Sequence, residues 1–236
     1  MNLISNPSPL RWRPIALVTL LIPLLAAHLL LAGLVVDGNF DDWVGQPNLP
    51  DPPGDGPNPN TDVLTFYWGT NPDEEAIYWM VERQQTSSGN PKVYYYVYID
   101  TNDNGSTSDA ADRKIVVFYD PQRNSSAVTV TVMSGTGAVI TESWGNWGES
   151  LSAGGARVEW RVPFADLGID AHQAIHMTAA ASQSGSESNI DRMPDSGDIT
   201  WSPIPVLGWP WLIALVAAVI ILTWFRFGRR VWRPTT

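Results

Sequence analysis

The stretch IVVFYDPQRNSSAVTVTVM, residues 115–133, decides the fold. Ile115, Val117 and Tyr119 alternate with Val116 and Phe118, and Val128, Val130 and Val132 alternate with Thr129, Thr131 and Met133. Successive side chains of a strand point to opposite faces, so a period of two reads as two strands. Between them, 121–126 holds Pro, Asn and Ser, the residues of a reversal. Working outward, Val158, Trp160 and Val162 alternate with Glu159 and Arg161. Further strands are expected over 62–69, 76–82, 93–99, 137–144 and 174–182. Turn-rich intervals at 69–73, 86–91 and 147–155 separate them. Only Phe164–Leu167, after Pro163, reads as a helical turn. Six prolines fall within 44–61, which leaves that stretch extended and irregular. Neither helical periodicity nor a fixed repeat is present. The expected fold is mainly β, an antiparallel β-sandwich.

The chain has 236 residues and no cysteine. Disulfide scaffolds, thiol nucleophiles, Cys-built zinc sites, iron–sulfur clusters and lipoprotein-type anchors are excluded. Net charge is −10, which argues against nucleic acid as a partner. All 24 acids lie between Asp37 and Asp198, and only 8 of the 14 bases lie in that window. The middle therefore carries −16 and the ends +6.

That split suggests a membrane topology. Residues 15–36 form an uncharged run of 22, preceded by Arg11 and Arg13. A spanning helix needs about 20 apolar residues, and a cleaved signal has an apolar region of about 7–15. The run therefore reads as a transmembrane helix or signal-anchor, with cleavage near Gly33 to Gly38 as the alternative. Residues 206–225 form a second span, flanked by Trp209, Trp211, Trp224 and Trp232 and followed by Arg226, Arg229, Arg230 and Arg233. Aromatic belts and cytoplasmic arginines mark such spans. The expected order is a cytoplasmic segment 1–14, a span 15–36, an extracytoplasmic β-sandwich 37–205, a span 206–225 and a basic cytoplasmic tail 226–236. The chain is thus expected in the cell membrane, with lipid as a partner. A processed C-terminal sorting signal is the other reading of the tail.

The outer segment carries VVDGNFDDW (35–43), DPPGD (51–55), AIYWMVE (76–82), VYIDTNDNGSTS (97–108) and VEWRVPFADLG (158–168). In this order the motifs resemble the carbohydrate-binding-module family 9-like domains, relatives of the DOMON-type sandwiches. The resemblance spans roughly 37–201. It implies a jelly-roll-like sandwich, often with structural calcium, on secreted or membrane-tethered proteins that bind sugars, bind haem b or serve as accessory domains.

Asp100, Asn102, Asn104, Gly105 and Ser106 reproduce the D-x-[DN]-x-[DN]-G start of a calcium loop. Alternate residues of a tight loop can turn their oxygens onto one hard cation. The twelfth position is Ala111 rather than Glu, so Asp109 and Asp112 would close the shell. A metal-free Asp/Asn-rich turn is the alternative. Asp37, Asn39 and Asp41 repeat part of the pattern, and Asp51, Asp55 and Asp62 offer further oxygens.

Along 93–99 the odd positions form an aliphatic face, apart from Tyr95, and Tyr94, Tyr96 and Tyr98 form the other. That tyrosine row, with Trp144 and Trp147, is the candidate surface for a glycan or a partner. Cross-strand packing beneath the Pro-rich segment is the competing reading. No nucleophile elbow, metalloprotease motif or P-loop occurs. The remaining candidates, His172, His176, Glu142, Glu149 and Glu159, carry no motif, and the chain reads as non-catalytic. The leading function is a calcium-supported extracytoplasmic domain recognising a glycan or surface polymer. An accessory subunit of a membrane complex comes second. A haem b electron carrier, using Met80, Met133, Met177 or the histidines, comes last.

Overall fold

Each alternating run forms a strand in the computed structural model, which describes residues 33–71, 74–84, 92–149, 155–202 and 217. All of the turn at 86–91 and nearly all of both apolar runs lie outside these residues. Among the described residues no helix is long and apolar enough to cross a membrane. The expected runs become β2 (Val63–Gly69), β3 (Ala76–Gln84), β4 (Val93–Asp100), β5 (Arg113–Tyr119), β6 (Val128–Ser134), β7 (Val139–Trp144), β9 (Gly155–Pro163) and β10 (Ile175–Ser182). Phe164–Leu167 is the short helix α1, closed by Gly168 at φ 67°. Four short strands complete the set: β1 (Asn48–Pro50), β8 (Asn146–Glu149), β11 (Asp191–Met193) and β12 (Ile199–Trp201).

Two antiparallel sheets result. One has the order β1-β2-β3-β9-β8; the other runs β11-β10-β4-β5-β6-β7, with β12 also beside β10. Inward side chains of both fill one core, including Ile77, Trp79, Val81, Val97, Ile99, Ile115, Val130, Trp160 and Met177. Trp79 and Trp160 are register partners whose rings stack at 6.2 Å. Truncating either to Ala removes a fully buried indole, a class of change that costs about 3–5 kcal/mol.

β3 is buried on both faces. Its outer residues Ala76, Tyr78 and Met80 form a second cluster with Leu34, Phe40 and Trp43. Residues 34–43 therefore cross the first sheet as a strap, and the packed domain begins before residue 37. Val36 also packs against this cluster. Gly38 N and Trp43 Nε1 donate to the two carboxylate oxygens of Glu159 at 2.6 and 2.9 Å. The Leu34 amide donates to Asn71 Oδ1 at 2.6 Å, and Asn71 returns a bond to the Leu34 carbonyl.

β7 and β8 belong to different sheets and are separated by Gly145 alone. A Cβ there would overlap the Glu159 carbonyl and Val128, so the corner requires glycine.

Candidate functional site

The 100–112 loop follows β4 and leads into β5. Asp100 ends its strand buried, and its carboxylate accepts from the amides of Asn102, Asn104 and Gly105 at 3.2, 3.3 and 2.7 Å. Asp109 accepts from the side-chain amides of Asn102 and Asn104, which hold its carboxyl down to about 2. Asp112 is buried and accepts from the amides of Thr101 and Asp109. The Ser106 amide bonds Asn104 Oδ1, and the Ser106 and Ser108 hydroxyls bond each other. The six expected ligands lie along one loop, but its three carboxylates are engaged by N–H donors and do not converge within the span of one ion. Asp37, Asn39 and Asp41 form a similar chain of side chain-to-amide bonds in the strap.

The tyrosine row lies on the outer face of the second sheet, but it is not an open platform. Tyr96 is only 2% exposed. Its ring stacks on Tyr98 at 6.1 Å, with the Lys114 ammonium 5.4 Å above it. Lys114 pairs with Glu187, and the Tyr98 hydroxyl donates to Glu187 at 2.8 Å. Arg192 lies over the Tyr98 ring and Gly185 approaches Tyr94. The cover is therefore the segment after β10, not the Pro-rich one. Burial drives the Tyr96 hydroxyl up to about 12, with the Glu187 charge adding to it. Trp147 is half-buried and packs against the core, its ring 5.3 Å from Tyr119.

The face stays open towards β7. Register aligns Tyr94, Phe118, Thr129 and Trp144 across four strands. Tyr94 and Phe118 stack at 4.5 Å, and Arg123 lies 5.4 Å above Phe118. Trp144 is 63% exposed. With strands about 4.8 Å apart, Trp144 and Phe118 stand about 10 Å from each other. Thr129 lies between them, and the neighbouring register row places Thr131 beside Glu142.

A second acidic group escaped local reading. One carboxylate oxygen each of Asp51, Asp55 and Asp195 lies within 4.8 Å of the others, and Asp55, Asp62 and Asp191 form a similar triad. Gly54 N donates to both oxygens of Asp62 at 3.0 and 2.9 Å, and Val63 N donates to Asp191 at 2.7 Å. Burial, together with the charges of Asp191, Asp55, Asp195 and Asp62, pushes Asp51 up to about 7. Burial raises Asp191 to about 6, with Asp55, Asp62 and Asp195 adding to it against the Val63 bond. DPPGD supplies Asp51 and Asp55, and Asp62 opens the next expected strand; no spacing in the sequence announces that Asp191 and Asp195 join them.

His176 stands between Asp103 at 3.2 Å and Asp198 at 3.3 Å, and also meets Thr200. Met80 lies under the strap and Met177 in the main core. Glu149's side chain lies outside the described residues.

No family model and no curated protein matches the chain. Among solved structures, one chain from "pH-induced modulation of Streptococcus parasanguinis adhesion by Fap1 fimbriae" is similar at 16% identity, covering 63% of this chain and 83% of that one. Its TM-score is 0.23, a likeness that bears on neither fold nor function here. The resemblance to family 9-like carbohydrate-binding modules rests on the quoted motifs.

Proposed function

We propose that this chain is a non-catalytic binding domain, jelly-roll-like in the manner of family 9-like modules. In this reading it is tethered on the outer side of a membrane by spans at 15–36 and 206–225 and recognises a glycan or surface polymer. One observation carries the ligand class: the open half of the outer face, with Trp144 on one side, the Phe118–Tyr94 pair on the other and threonine hydroxyls between. Flat apolar rings suit the C–H faces of sugars, and hydroxyl and carboxylate groups suit their O–H groups. The binding residues are therefore Trp144 and Phe118, with Thr129, Thr131 and Glu142, and Tyr94 supports Phe118 from behind. Calcium at the 100–112 loop belongs to the same reading, supported by the D-x-[DN]-x-[DN]-G order of Asp100, Asn102, Asn104 and Gly105.

The test is a glycan array probed with the full chain in mild detergent, repeated with Trp144→Ala. An exposed edge indole contributes little to the fold, so the variant should keep its melting temperature and lose at least tenfold in affinity. Binding that survives the change would remove this face from the function. A wild-type chain that retains no glycan would sink the ligand class.

The accessory-subunit reading draws support from β7, whose Val139 and Ile140 are exposed on an edge strand. Exposed apolar edges recruit protein partners. Stoichiometric co-purification lost on Ile140→Lys would favour it.

A further inference from the structure

Five carboxylates meet where the Pro-rich segment passes β11. Asp51, Asp55 and Asp62 come from the segment, Asp191 from β11 and Asp195 from the turn beyond it. Asp62 and Asp191 are buried, and Asp51 is 9% exposed. The charges acting on Asp51 are all negative. Arg192, the adjacent base, is turned away over the Tyr98 ring. Asp51 Oδ2 is shielded from solvent and has no hydrogen-bond partner. A buried carboxylate oxygen without a donor is costly unless a proton or a cation meets it. Gly56 lets the segment pass close to these acids, since a Cβ there would stand 3.0 Å from Asp62 Cα and 3.2 Å from Asp191 Oδ2.

We propose that Asp51, Asp55 and Asp195 hold a Ca2+ ion, bordered on its inner side by Asp62 and Asp191, which staples the Pro-rich segment to β11. The site goes beyond the reading above, since neither the open face nor the 100–112 loop contributes a ligand. Oxygen-only donors select a hard cation. Calcium takes oxygens at about 2.3–2.6 Å, so two ligands on opposite sides of one ion stand about 4.6–5.2 Å apart. The triad, with its oxygens within 4.8 Å of one another, fits that span. Magnesium needs six oxygens in a near-ideal octahedron at about 2.0–2.1 Å. Ligands drawn from an irregular segment and a turn suit the more tolerant ion.

The experiment is calorimetric titration of calcium, and separately of magnesium, into the chelator-stripped full chain in detergent. It is run on the wild type, on Asp51→Asn with Asp55→Asn, and on Asp100→Ala with Asn102→Ala. The clamp variant should bind one calcium fewer per chain than the wild type, while its metal-free melting temperature stays level or rises because repulsion is relieved. Asp55→Asn alone, at an exposed position, gives the same reading should the double variant misfold. An unchanged calcium count in the clamp variants, or a wild-type chain that binds no calcium, overturns the site. So does magnesium binding as tightly as calcium. Loss of all calcium from the loop variant would place the ion there and overturn the clamp.

Discussion

Glu159 is fully buried, yet the alternation of Val158, Trp160 and Val162 places it on the outward face of β9. Burial raises its pKa, against the hydrogen bonds from Gly38 and Trp43. Replacing it by Leu would leave the buried Trp43 donor unpaired, at a cost of roughly 1–3 kcal/mol, and the part-buried Gly38 amide without its acceptor. Urea unfolding of Glu159→Leu should show a loss of that order. Glu159→Gln, which keeps one acceptor oxygen, should lose less. A Leu variant as stable as the wild type would mean that water reaches the two donors. Period two reports which face a side chain takes, and at this scale that much was legible. Arg83, one residue past the expected run 76–82, continues the inward face of β3, and its guanidinium is buried 5.9 Å from the Tyr119 ring centre. The period does not report what lies over a face. Glu159 and Tyr96 both read as outward and both are covered, one by the strap and the other under Lys114 and the segment after β10.

The long strands were legible because each spans enough residues to repeat its pattern. β1, β8, β11 and β12 have three or four residues each and are fixed by their neighbours' register rather than by their own composition. β8 lies inside an interval whose Gly and Ser content reads as a turn. The segment covering the tyrosine row, 183–190, is likewise polar and Ser-rich, and Glu187 attaches it to the sheet. Burial pushes Glu187 up, but the Lys114 ion pair and the Tyr98 hydroxyl overcome it, and its pKa falls below the usual 4.5. A carboxyl lowered in the fold contributes stability above its unfolded value and loses it as pH falls through the folded one. Limited proteolysis within 183–190 should therefore stay slow at neutral pH and accelerate below the usual glutamate range. Glu187→Gln should be cut faster at neutral pH, with a flatter profile. Equal cutting rates across pH in the wild type would show that Glu187 does not hold the segment down.

Across the whole chain, 24 acids and 8 bases occupy the middle while six arginines flank it. If the chain is tethered as proposed, the positive-inside rule predicts both termini on the cytoplasmic side. Protease added to intact cells, or to spheroplasts where an outer envelope intervenes, should degrade the domain and spare tags on both ends. A protected domain with a digested C-terminal tag would reverse the orientation. The strap gives the N-terminal side of the domain a property of its own. It joins the fold through a small separate cluster and a few polar bonds, whereas both sheets share the large core. Such an arrangement divides the molecule into two cooperative units of unequal strength. Amides of 34–43 should exchange with solvent through openings that leave the sandwich intact. Each opening would bare Ala76, Tyr78 and Met80 as an apolar strip along the middle of a sheet. Tension on the chain leading into residue 34 would thus peel away the strap, and uncover that strip, well before it reached Trp79 and Trp160.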